Sequence, residues 1–214
     1  MDYRTRLVNA RQQMEAMGID ALMLSTGLDL LYFIGYTASP YERLTMLVVR
    51  SEGEPVLVVP ELEAPLVDTS EDLFDVRAWT ETEDPTAIAA DLAAGAETLA
   101  LDDQTWSTFL LQLQAGMPDA AFVSATWLTR ELRMRKGAEE LARLRAAGAA
   151  ADRVAAAIRT MEFSGKAERD LGRDIAELTV QQGHDMATFT IVASGPNSEH
   201  RLTITRGIGS SRWR

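Results

Sequence analysis

The chain contains no cysteine, which excludes a disulfide, a thiolate nucleophile and a Cys-ligated zinc, and leaves the fold to core packing alone. Histidine is nearly as scarce: His184 and His200 are the two present in 214 residues. Gly-x-Gly-x-x-Gly, the phosphate-binding loop, Gly-x-Ser-x-Gly and His-Glu-x-x-His are all missing, so the common catalytic signatures have no counterpart here. No apolar run approaches the roughly twenty residues that span a bilayer, and Met1-Asp-Tyr-Arg4 opens without an apolar leader. Basic residues are also in deficit. Lys and Arg number 21 against 32 Asp and Glu, a net charge of −11, and phosphate binding needs a basic surface. The expectation is a cytoplasmic protein with neither nucleic acid nor membrane as partner.

What is present is ordinary globular material, 46% hydrophobic and 25% charged, in a chain long enough to bury a sizeable core. Tyr3, Leu7, Ala10, Met14 and Met17 form one helical stripe that stops at Gly18. Ile19–Leu24 reads as a buried strand, and Leu28–Tyr36 is a second apolar run broken by Gly35. Leu44–Val49 and Pro55–Val59 predict a hairpin around Arg50-Ser-Glu-Gly-Glu54. A short helix at Glu63–Val67 and a strand at Phe74–Trp79 follow. Asp84-Pro85 supplies an N-cap and a first-turn proline for a helix to about Ala94. Strands at Thr98–Leu101 and Ala121–Val123 flank a helix at Thr105–Leu113. This alternation implies α/β layers around a mixed sheet, because a hairpin pairs antiparallel while crossovers favour parallel neighbours.

From Trp127 the composition changes. Leu128–Lys136 is basic, and Gly137–Met161 carries Leu141, Leu144, Ala151, Val154, Ile158 and Met161 on one side of a long helix. Ala167–Gln182 predicts another helix, with Leu171, Ile175 and Leu178 on its stripe, ending at Gly183. Met186–Val192 then alternates like a strand, before the turn Ser194-Gly-Pro-Asn197.

Few residues recommend themselves for chemistry. His184-Asp185 follows a helix end, where an imidazolium suits the dipole, and also fits an ordinary surface loop. Asp102-Asp103 ends a strand, a usual place for sites in open sheets, but adjacent strand residues face opposite ways, so capping the next helix is the simpler role. Glu61 and Glu63 precede a helix in a connection, and Glu139, Glu140 and Glu168 sit where carboxylates complement a helix N-terminus. Tyr32, Tyr36, Tyr41 and Arg43 are the candidates for a substrate pocket or a subunit interface. Tyr32 and Phe33 serve equally well as core. No catalytic residue and no metal ligand can be assigned.

The sequence resembles the creatinase/prolidase group of pita-bread metallopeptidases, the Xaa-Pro dipeptidases and aminopeptidases. The resemblance rests on Arg4-x-x-Leu7 with Gly18-Ile-Asp-Ala-Leu22, on Leu31-Tyr-Phe-Ile-Gly-Tyr36, and on Glu42-Arg43. Leu132-Arg133-x-x-Lys136 with Glu139 and Glu140, Glu168-Arg-Asp-Leu171 and Phe189-x-Ile-Val-Ala-Ser-Gly-Pro-Asn197 extend it to about residue 198. It implies a creatinase-type N-terminal α/β domain over 1–126, with a mixed sheet and flanking helices. An incomplete α+β pita-bread domain then covers 127–198. In that group two divalent metal ions, manganese, cobalt or zinc, are held by two aspartates, a histidine and two glutamates, and the water between them attacks the Xaa-Pro bond. Those ligands follow the segment matching Phe189–Asn197, so none carries over to a residue of this chain.

The tail, 199–214, departs from the resemblance. Arg201, Arg206, Arg212 and Arg214 crowd into the end of an otherwise acidic chain. Back-translated with GC-rich codons and read two bases later, Glu199–Arg214 gives Ala-Pro-Pro-His-His-His-Ala-Gly-Asp-Arg-Val-Val-Glu-Val-Ala, which resembles what the family has after Ser-Gly-Pro-Asn. A frameshift after about Ser198 is the expectation this raises. The resemblance thus implies the N-terminal part of an Xaa-Pro peptidase acting on proline-containing peptides, inactive by itself. A non-catalytic dimerisation or interaction domain is the alternative, with self-association through apolar helix faces that lack a covering sheet.

Overall fold

Asp2 starts the first helix. Its Oδ1 accepts the amide of Thr5 at 2.9 Å, which satisfies one of the orphan donors at a helix N-terminus, and α1 runs Tyr3–Met17 with Leu7, Ala10 and Met14 buried. In this computed structural model residues 2–38, 42–68 and 72–195 are described. Gly18 closes α1, as the sequence predicts.

All five residues of β1 (Ala21–Ser25) are buried, the pattern of a central strand covered on both faces. It pairs antiparallel with β2 (Met46–Arg50), Leu22 facing Val49, and β2 pairs antiparallel with β3 (Val56–Pro60) across the predicted hairpin. Beyond β3 lies β4 (Asp75–Trp79), in parallel. On the other side β1 pairs in parallel with β5 (Thr98–Leu101) and β5 with β6 (Ala121–Ser124). The order β4-β3-β2-β1-β5-β6 makes the mixed sheet that the hairpin and crossovers imply.

Alternation along the strands divides the core in two. Leu22, Leu24, Leu47 and Val59 face α1, α2 (Leu28–Ile34) and α5 (Thr126–Met134), meeting Met14, Phe33 and Leu128. Met23, Met46, Val48 and Leu99 face α3 (Pro85–Leu92) and α4 (Ser107–Gly116), meeting Ala89, Phe109 and Leu113. Asp84 caps α3 as expected, its Oδ1 accepting from Thr86 and Ala87. The apolar run at 28–36 is a helix ended by Gly35. That glycine has φ +73°, and the ring of Tyr3 comes so close that a Cβ would lie 2.6 Å from its hydroxyl. Both facts demand glycine.

Residues through Arg135 form one compact unit and those from Lys136 another. α5, which the sequence assigns to the domain beginning at 127, sits in the first unit packed on α1, held by its buried Leu128 and by an ion pair from Arg133. In the second unit α6 (Ala138–Ile158) and α7 (Glu168–Gln181) pack together. Gly137 donates its amide to Glu140 Oε2 at 2.9 Å to start α6, and Arg153 bonds Gln182 through its Nε and Nη2. The strand predicted at 186–192 does not form: among the described residues these positions belong to no strand of the sheet. Alternation supplies a face, whereas a strand also needs a neighbour for its amides. Tyr41, His200 and the tail from Glu199 lie outside the described residues. Among the described residues no helix is long and apolar enough to cross a membrane.

Candidate functional site

β1 and β5 lie side by side and parallel, yet the helix after β1 packs on one face of the sheet and the helix after β5 on the other. Such a divergence opens a crevice at the strand carboxyl ends, the usual ligand position in open α/β sheets. Here polar side chains converge. Arg133 Nη1 donates to Asp29 Oδ1 at 2.6 Å, joining α5 to α2. Asp102, 7% exposed, accepts the Gln104 amide through Oδ1 at 2.8 Å. Gly27 closes the floor: a Cβ there would lie 2.7 Å from Gln104 Oε1 and 3.9 Å from Asp102 Oδ2. Thr105 Oγ1 is buried beside them with no partner among the described residues.

Burial pushes the Asp102 carboxyl up to about 6, reinforced by the carboxylates of Asp29 and Asp103 and opposed by the Gln104 amide and Arg133. Asp103 points outward, as alternation predicts, and accepts from Thr126 Oγ1 at 2.7 Å. Neither aspartate caps α4, contrary to the simplest reading of the sequence. Its N-cap is Trp106, without a side-chain bond, because the turn at 102–105 consumes Asp102 before the helix begins. The sequence offers Arg133 within Leu132-Arg133-x-x-Lys136 but gives no sign of its partner Asp29. The two are 104 residues apart, and no local pattern links them.

Tyr32, Tyr36 and Arg43 are not brought into one pocket but take separate partners. Tyr32 donates its hydroxyl to the Leu132 carbonyl at 3.3 Å, meets Phe33 edge-on at 5.0 Å and lies under the guanidinium of Arg6 at 4.0 Å. Tyr36 is buried, with the Glu63 carboxylate nearby. Burial raises its phenol above the ordinary range, and the Glu63 charge adds to this. Arg43 pairs with Glu81 at 2.8 Å on the surface.

Glu139 and Glu168 have structural partners. Glu139 pairs with Arg143 one turn on, at 2.7 Å. Glu168 does more than complement a helix dipole: it is buried, and its Oε1 accepts the amide of Ser194 at 2.6 Å and its hydroxyl at 2.9 Å. His184 follows the end of α7 and donates its backbone amide to Thr179. Among the described residues no three His, Cys, Asp or Glu side chains come together to hold a metal ion. Of the acids at the strand ends, Asp29 is engaged by Arg133 and Asp102 by the Gln104 amide. The described residues therefore do not fit a dinuclear metal centre.

A family model described as the creatinase/prolidase N-terminal domain matches residues 6–135, which hold the whole six-stranded sheet. The chain belongs to the creatinase/prolidase family. The probable dipeptidase PepE of Mycobacterium tuberculosis is 36% identical over 199 residues, covering 91% of this chain and 53% of that protein. The Xaa-Pro dipeptidase of Lactobacillus helveticus is 30% identical over 200 residues, covering 88% and 53% respectively. Among solved structures, dipeptidase PepE from Mycobacterium ulcerans superposes with a TM-score of 0.87 at 35% identity, over 99% of this chain and 57% of that one. This creatinase/prolidase chain thus spans about half the length of the curated relatives it matches.

Proposed function

We propose that this chain is the N-terminal part of a metal-dependent Xaa-Pro dipeptidase, and that it hydrolyses no peptide by itself. The single observation carrying this reading is one of coverage. Similarity extends over nine-tenths of this chain but over 53% of the dipeptidase relatives, while the described residues fit no metal centre. In the intact parent, two divalent ions such as manganese, cobalt or zinc would serve a water attacking the Xaa-Pro bond, held by residues beyond the aligned segment. The domain arrangement belongs to the same proposal: a creatinase-type domain followed by the opening helices of the peptidase domain, in a cytoplasmic homodimer. The test is release of proline from an Xaa-Pro dipeptide by the purified chain with added Mn2+. The expected rate equals that of the buffer blank, and metal-dependent turnover overturns the reading.

A second reading, a non-catalytic association module, is favoured by a separate observation. Leu144 on α6 and Met186, Phe189 and Ile191 after α7 are 55%, 69%, 68% and 44% exposed, and exposed apolar side chains of this size are the material of association surfaces. Sedimentation velocity is expected to show a dimer or larger species. A monomer at all concentrations counts against it.

A further inference from the structure

Away from the strand ends, α1 and α5 enclose a crevice of about 520 Å³ within the first unit. This volume lies in the range of small-molecule sites. Its floor is fixed. Tyr32 is held by its bond to the Leu132 carbonyl, by Phe33 against its edge and by the Arg6 guanidinium over its face, so little order remains to be imposed on binding.

The walls are the opposite. Asn9, Gln12 and Gln13 from α1, with Glu131 and Arg135 from α5 and its C-cap, take no side-chain hydrogen bond or ion pair with the described residues. Glu131 and Arg135 are one helical turn apart, on neighbouring surface positions, yet they are not joined to each other as Glu139 and Arg143 are. A rigid aromatic floor is therefore surrounded by three carboxamides, each both donor and acceptor, and by one charge of each sign.

We propose that this crevice binds a small zwitterion carrying an ammonium and a carboxylate, the charge pattern of a free amino acid or a short peptide. Glu131 receives the ammonium, Arg135 the carboxylate, and the carboxamides of Asn9, Gln12 and Gln13 the polar atoms between. An anion alone would meet the Glu131 carboxylate, and a cation alone the Arg135 guanidinium. With a single cation in the walls and Arg6 already covering the Tyr32 ring, the site offers a nucleotide neither a phosphate clamp nor a stacking face.

The experiment is a 1H–15N correlation titration of the full chain with glycine and with diglycine. Glycinamide serves as the cation-only control and N-acetylglycine as the anion-only control. The side-chain amide signals of Asn9, Gln12 and Gln13 report directly on the walls. The expected result is saturable shifts confined to α1 and α5 for at least one zwitterion, with about three- to tenfold weaker binding for both single-charge controls. Saturation by glycine assigns an amino acid, and saturation by diglycine alone assigns a peptide. Glu131→Gln and Arg135→Gln should each weaken the zwitterion by a similar factor, and equilibrium dialysis with labelled glycine or diglycine gives the same comparison independently of spectra. Absence of saturation by either zwitterion, equal binding of the single-charge controls, or shifts centred elsewhere overturns the proposal.

Discussion

β1 buries every one of its five residues, whereas α6, four times as long, buries Ala150 and Val154. The first unit is therefore held by burial, its sheet filled from both faces by long apolar side chains. The second leans on local helix formation: Ala, Leu, Arg and Glu have high intrinsic propensity. Pairs one turn apart add to it, such as Glu139 with Arg143 at 2.7 Å and Arg173 with Glu177 at 3.9 Å, each worth a few tenths of a kcal/mol. One chain thus contains a region whose structure depends on distant contacts and a region whose structure is largely written within a few residues.

Truncating the first region's core should separate the two most strongly. Phe33 is fully buried, and Phe33→Ala should destabilise by about 3–5 kcal/mol, read from urea unfolding followed by tryptophan fluorescence. Trp79, Trp106 and Trp127 all report on this unit. Leu144→Ala in α6, where the side chain is 55% exposed, should change stability by less than about 0.5 kcal/mol. Comparable losses from the two would erase the distinction.

Burial matters in the second region too, at Glu168. Glu168→Ala leaves the Ser194 amide and hydroxyl without their acceptor, at about 1–3 kcal/mol, and should expose 186–195 to proteolysis. Glu168→Gln, which keeps a side-chain oxygen, should restore part of the protection. Cleavage unchanged in both variants would show that the segment does not depend on this clasp.

Asp102 supplies a pH-dependent test of the first region. Its folded value of about 6 lies above the unfolded value of about 3.9, so the folded state binds more protons between them. Its contribution to stability is fully present below about pH 4 and is lost as pH rises through about 6. Asp102→Asn should therefore gain on the wild type by about 1–2 kcal/mol between pH 4 and pH 7, in paired thermal melts. A difference that is flat with pH would mean that the carboxyl titrates normally. The smallest effect is expected at the surface: Arg43→Ala removes the exposed pair with Glu81 and should cost less than about 1 kcal/mol.

Much of the fold was legible because its signals are local. Asp84-Pro85 declares a helix start through one side chain and one fixed φ, and the loop at 50–54 declares the hairpin. The site was far less legible. Grouping Tyr32, Tyr36 and Arg43 followed their closeness in the chain, but Leu132, Glu63 and Glu81 divide them. Asp102 is legible at its strand end, whereas nothing local marks its neighbours Asp29, in an apolar run, and Arg133, in a basic one, as partners.

By itself the sequence determined the family, the kinds of element and most of their limits, since helical periodicity, caps and turn residues act over three to five positions. Tertiary structure alone decided that α5 belongs to the sheet unit, that Asp102 sits beside Asp29 and Arg133, and that 186–192 joins no sheet. A strand, a buried carboxyl and a domain boundary are each defined by what lies opposite, and the groups opposite come from distant parts of the chain.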